Sequence, residues 1–312
     1  MSNILGLSRV TRIQKFVTWL FVMAPFVGVV LAVWLSWGKG VDYRQLTLLI
    51  VFYSVTFVGI TVGFHRCITH KAFKTHPWVE SLLAICGSAA AEAPIKEWVP
   101  WHRIHHKHSD KEGDPHSPHL FGEGMKNLIR GFFHAHVGWL FNPPLEGLKR
   151  YIPDLLEKPH LRLISRLSLL WIALGLLLPT VIGGIWCHSW KGAFLSFLWG
   201  GLVRIFLVHH MTWSVNSVCH IWGEQPFKTD DHSKNNNWLA IPSFGESFHG
   251  WHHVDPSSAI HGVLPGQIDI SYWFIWLLEK CRLAWDVHRP SKEKILAAFT
   301  PEGFRQYGYA FV

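Results

Sequence analysis

The chain has 312 residues, 49% of them hydrophobic and only 16% charged, with 18 Trp. So little charge on so much apolar sequence excludes an ordinary soluble domain and points to a membrane. The formal charge of +8 is not the footprint of a nucleic-acid binder: no basic-aromatic motif accompanies it, and Lys and Arg gather at the ends of apolar runs, where a chain meets the cytoplasmic side of a bilayer.

The first element follows Arg9, Arg12 and Lys15: residues 16–38 carry no charge and are long enough to span. The run is too long for a signal peptide and no clear cleavage site follows, so it reads as a retained helix. After Lys39, Asp42 and Arg44, residues 45–64 return the chain as a second span, completing a hairpin, with His65 just beyond it. Residues 77–93 are apolar but short and interrupted by Glu80 and Glu92, which suits an interfacial helix or one packed on the spans. Next come Trp101-His102-Arg103-Ile104-His105-His106, read as helix, and the Gly/Pro/Asp stretch 113–118, read as loop. Residues 167–187 and 192–208 form a second hairpin of spans around Lys191. Arg204 lies inside the last span, where a charge is costly and must face protein; the sequence names no partner for it.

The expected architecture is an all-α integral membrane protein of one domain covering residues 1–312. Four spans form two hairpins, and a helical cytosolic cap is built from residues 65–166 and 209–312. The basic segments 9–15, 66–74, 103–111 and 149–166 fall on one side by helix count, which positive-inside places in the cytosol. The five cysteines show no CxxC pair and read as reduced, as expected on a cytosolic face.

Histidine carries the chemistry. On a helix the offsets i, i+3 and i+4 share a face, so His102, His105 and His106 are expected to project into one small volume. His249, His252 and His253 repeat the spacing, and His65 and His70 form a wider pair. One such run is as readily a solvated basic helix face; three on the same membrane side point to metal. Eight imidazoles exceed one tetrahedral zinc. No cysteine pair suggests an iron–sulfur site, and no Glu-x-x-His pair suggests a soluble di-iron bundle. A dinuclear site doing oxygen chemistry on unreactive carbon fits, and it needs a metal with accessible higher oxidation states, which zinc lacks.

His65-Arg66-Cys67-Ile68-Thr69-His70, His102-Arg103-Ile104-His105-His106 and His249-Gly250-Trp251-His252-His253 resemble the three histidine boxes of membrane fatty acyl desaturases. The resemblance covers most of residues 59–290, including Gly113 to Pro118, Phe133 to Trp139, Asn216 to Gly223 and Trp285 to Val287, and is nearest to bacterial Δ9 desaturases of the stearoyl-CoA type. The third box departs from the family pattern at residues 245–247 and 249–251, without touching its histidines. The resemblance implies two irons, O2 as co-substrate, and removal of two hydrogens from a saturated C16 or C18 acyl chain, giving a cis Δ9 double bond. It implies His65, His70, His102, His105, His106, His249, His252 and His253 as ligands, with His220 as a further one. Asn216, four residues before His220, then holds a water for the second iron; a helix-capping role is the alternative.

Trp98, Trp101, Trp139 and Trp213 are candidate walls of an apolar substrate tunnel, or else packing residues. His108, His116, His119, His134, His136, His209 and His210 read as outer or surface residues. The partners implied are the acyl substrate, the bilayer and a separate ferredoxin or cytochrome b5-like donor with its reductase; the location implied is a bacterial inner membrane, with the site on the cytoplasmic side. A di-iron hydroxylase or alkane monooxygenase is the nearer rival. A metal transporter is the distant one, since transporters place polar ligands within their spans.

Overall fold

The computed structural model describes residues 10–311; Arg9 lies outside them. Four helical runs are long and apolar enough to cross a membrane: Arg12–Ser36, Tyr43–Thr69, Ser168–Cys187 and Trp190–His220. The first is α1 (Arg12–Ser36), opened by a Thr11 and Gln14 capping box. The second is α2 (Tyr43–Val58), which continues into a π-helical stretch at Gly59–Thr69. Between the second and third runs lie α3 (Pro77–Ser88), α4 (Ile95–His108), α5 (Met125–His136), α6 (Pro153–Glu157) and α7 (Pro159–Arg166). The third run is α8 (Ser168–Cys187). The fourth is α9 (Trp190–Ser196), a π-helical stretch at Phe197–Val203, α10 (Arg204–Ser217) and a 3-10 turn at Val218–His220. The remainder holds α11 (His249–Val254), α12 (Ile270–Lys280), α13 (Lys292–Ala298) and α14 (Pro301–Tyr307). Among the described residues the only sheet pairs Lys74–Thr75 with Ala284–Trp285.

The second and fourth runs outlast the apolar stretches expected at 45–64 and 192–208, ending at Thr69 and His220. Their polar ends are buried in protein: His65 is 5% exposed and Arg66 and His220 are 0% exposed. Hydropathy registers that polarity but not that protein, rather than lipid, surrounds it. α1 rests chiefly on the fourth run at Phe197–Val203, and α2 packs against that stretch, α3 and α8. Gly28 permits the first contact, because a Cβ there would lie 2.4 Å from Leu202 Cβ. α3 packs against the second run, as residues 77–93 suggested.

Arg204 has no carboxylate partner among the described residues. It donates to the carbonyls of Ala89 and Gly175 at 2.7 Å and of Gly200 at 3.3 Å. Those acceptors, just past the end of α3, inside α8 and one turn back in the fourth run itself, satisfy the guanidinium without a second buried charge.

Candidate metal centre

Each histidine pair reaches the centre through its local helix. His65 and His70 are five residues apart, which on an α-helix leaves them about 140° apart. The second run is π-helical there, and the His70 N–H bonds to the His65 carbonyl at 3.1 Å. The wider turn brings i and i+5 toward one face, so the ring centroids come within 4.8 Å. The spacing of the first box is therefore the spacing of this helix type.

The two triplets do not each fill one volume, as a shared helix face suggested. His102 and His106, at i and i+4, join His65, His70 and His252 in one group of five. His105 instead joins His220, His249 and His253 in a group of four. A residue at i+3 sits on the other flank of the stripe from one at i+4, about 100° away. Each triplet thus gives two members to one group and one to the other, and the boxes interlock. All nine predicted histidines converge.

In the group of five the Nε2 atoms run His65–His252 at 3.0 Å, His252–His106 at 2.9 Å, His106–His102 at 3.0 Å and His102–His70 at 3.0 Å. In the group of four, His249 Nε2 lies 3.0 Å from both His220 Nε2 and His253 Nε2. His105 Nε2 is buried without a hydrogen-bond partner. An imidazole–metal bond of about 2.1 Å puts two ligands at right angles about 3.0 Å apart, so these separations are those of donors around common ions.

The other ring nitrogens decide the tautomers. His65 Nδ1 donates to Glu246, His105 Nδ1 to Asp114 at 2.9 Å, His220 Nδ1 to Asp110 at 2.8 Å and His253 Nδ1 to Asp231 at 2.5 Å. With the proton on Nδ1, Nε2 carries a lone pair. His220 and His253 both aim such lone pairs at His249, which has at most one proton to offer; a cation satisfies all three. The residues present therefore fit a pair of first-row metal ions.

Burial, reinforced by neighbouring imidazoles, pushes His70, His102, His106, His249 and His252 well below the ordinary histidine range, which keeps them neutral donors. Burial also opposes charge on His105, but Asp114 outweighs it and raises its pKa. Against their own burial, Asp110, Asp114, Asp231 and Glu246 are held well below the usual carboxylate range by the histidines they face.

The sequence reading missed these carboxylates as orienting groups, although Asp114 and Glu246 stand in segments it had marked. It also missed His261. That ring is buried among His65, His252 and Glu246, its centroid 4.5 Å from His252 and 5.5 Å from His65. A single His in a loop gives no spacing to detect. Arg66 was seen only as a box residue, yet it bonds Glu246, Asp269 and the Ala259 carbonyl and so braces the carboxylate on His65. His116 lies over His105, centroids 4.4 Å apart.

Three cavities with shared lining residues lead to the centre. The largest, about 350 Å³, opens between α1 and α8 and is lined by Trp101 and Trp213. Trp98, Trp101, Trp139 and Trp213 surround the next, together with His102, His116 and Asn216. The innermost, about 40 Å³, touches His65, His102 and His249 and shares Trp98, Thr212 and Asn216 with it. All four candidate tryptophans thus line an apolar passage. Asn216, on the last turn of α10, stands where the passage meets both histidine groups.

A sequence model described as fatty acid desaturase matches residues 44–263. A hex-5-enoyl-[acyl-carrier protein] acetylenase from Moorena producens (strain JHB) is 43% identical over 280 residues, covering 89% of this chain and 87% of its own length. A chloroplastic palmitoyl-monogalactosyldiacylglycerol delta-7 desaturase from Arabidopsis thaliana is 37% identical, covering 84% and 67%. An sn-1 stearoyl-lipid 9-desaturase from Anabaena variabilis is 34% identical, covering 79% and 84%. With interlocked histidine boxes at the end of an apolar passage and a family match over most of its length, the chain belongs to the fatty acid desaturase family.

Proposed function

We propose that the chain removes two hydrogens from adjacent carbons of an acyl chain, using O2 and two external electrons, at a histidine-held di-iron centre. The observation that carries this reading is the five-and-four set of lone-pair imidazoles at the inner end of an apolar passage. His65, His70, His102, His106 and His252 would hold one iron, and His105, His220, His249 and His253 the other. Asn216 would hold a water beside the second set, since its amide can donate or accept. When bound, the irons supply the O2 activation and oxidising power that unactivated C–H bonds require. The protein's part is to hold the Nδ1 protons of His65, His105, His220 and His253 toward Glu246, Asp114, Asp110 and Asp231, leaving their Nε2 atoms as lone-pair donors, and to line the reacting carbons with Trp98 and Thr212 so that bulk water is excluded.

Δ9 desaturation of a C16 or C18 chain is the family member expected from the resemblance. The relatives' names divide among the 5, 7 and 9 positions and an acetylenase, so position rests on the shape of the passage. Electrons would come from a separate ferredoxin or cytochrome b5-like donor.

Four apolar runs and the basic segments support a bacterial inner-membrane protein with its site on the cytoplasmic face. A cysteine placed at Ser189 should then label only from the outer side; labelling from the cytoplasm sinks this topology.

Gas chromatography with mass spectrometry of acyl chains from a host expressing the chain tests the activity. Unsaturated product that disappears in His252→Ala is expected; hydroxylated product in its place would favour the hydroxylase rival.

A further inference from the structure

On the side facing α2, the innermost cavity is walled by Phe57, Ile60 and Thr61. Phe57 is 1% exposed and stacks on Tyr53 with ring centroids 5.2 Å apart. Phe244 meets both rings edge-on, at 5.3 Å from Phe57 and 5.8 Å from Tyr53. The Tyr53 hydroxyl donates to the Pro242 carbonyl, tying α2 to the segment that leads into α11. Phe57 and Ile60 belong to the main packed core, with Tyr53, Trp98 and Phe244 against it. The space between this cluster and the imidazoles of His65, His102 and His249 is about 40 Å³, against about 350 Å³ on the side toward α1 and α8. A water needs roughly 10–15 Å³ of such space, and a methylene is of similar size, so about three carbons fit.

We infer that the Tyr53–Phe57–Phe244 cluster ends the acyl channel directly behind the metal centre, so that the bond oxidised lies within about three carbons of the methyl end. The inference rests on the desaturase reading and adds to it the class of substrate: an acyl chain whose methyl terminus reaches the histidines while its carboxyl end and carrier lie toward α1 and α8. In the reaction two C–H bonds on neighbouring carbons break and one π bond forms. The two protons and two electrons so released, with two electrons from a one-electron carrier protein and two protons from solvent, reduce O2 to two waters.

The test supplies the full-length protein, in membranes with a reduced one-electron donor, with saturated acyl chains from hexanoyl to stearoyl. Double-bond position is mapped by mass spectrometry, and iron content is measured alongside. In the native chain, unsaturation should be confined to the last few bonds at the methyl end. Phe57→Leu opens space behind the centre and should move the double bond at least one carbon away from the methyl end while iron is retained. Phe244→Leu, outside the spans, should do the same and guards against a folding defect in the first variant. Mid-chain unsaturation of palmitoyl or stearoyl chains by the native protein, unmoved in both variants, overturns the inference. No unsaturated product from any chain length in any variant overturns the desaturase reading itself, and the inference with it.

Discussion

Glu92 stands in the wall of the passage, accepting hydrogen bonds from Thr212 Oγ1 at 2.5 Å and Trp98 Nε1 at 2.7 Å. Burial pushes its pKa up to about 7 from 4.5, against the pull of those two donors. With the folded value above the unfolded one, the native state holds more protons between them, so stability falls as pH rises through that window and is constant beyond it. The loss is at most about 3 kcal/mol. Thermal melts at pH 5 and pH 8 should show a fall with pH that is larger in the native protein than in Glu92→Gln; equal falls in the two would remove the buried charge from the explanation. At this same scale the sequence exposed the candidate ligand set but not its orientation. Eight histidines were legible from their spacing, and His220 only through the family resemblance. Asp110, Asp114, Asp231 and Glu246 were not, because a carboxylate that meets an Nδ1 across the fold leaves no periodic trace. His261, alone in its loop, is the extreme case.

Helical elements were legible as apolar runs, and their ends were not. Residues 59–69 illustrate why: the chain turns polar there, yet stays helical because α3 and the cap cover it. Gly59 and Gly87 make the covering possible. A Cβ on Gly59 would lie 2.0 Å from the Gly87 nitrogen and 2.4 Å from the Cys86 carbonyl carbon, both backbone atoms that cannot move aside. Gly59→Ala must therefore lever α3 away from the stretch that carries His65 and His70. Such overpacking typically costs about 1–3 kcal/mol, and here it should also lower iron content and activity together. Native iron content in Gly59→Ala would show that the two helices tolerate separation and that their contact does not position the first box. The splitting of each triplet by its i+3 member was likewise out of reach, since a helix face is a stripe and not a point.

For the whole molecule, segments at 65–70, 102–106, 220 and 249–253 meet in one place although the sequence scatters them. Their convergence could be argued in advance from the side of the membrane on which each falls, because Lys and Arg mark that side. The packing of α1 on the fourth run could not, since all four apolar runs look alike to any measure of composition. Nor could the short inner end of the passage, which depends on Phe244 arriving from a loop almost two hundred residues after Phe57. The central claim is that the five-and-four imidazole set holds two irons. Metal analysis of the purified protein, reported as iron per chain, tests it most directly. Two irons per native chain are expected, falling toward one in the double variant His249→Ala, His253→Ala, which removes two of the group of four and keeps all five histidines of the other. An active native protein with one iron or none, or a double variant that still carries two, would contradict it.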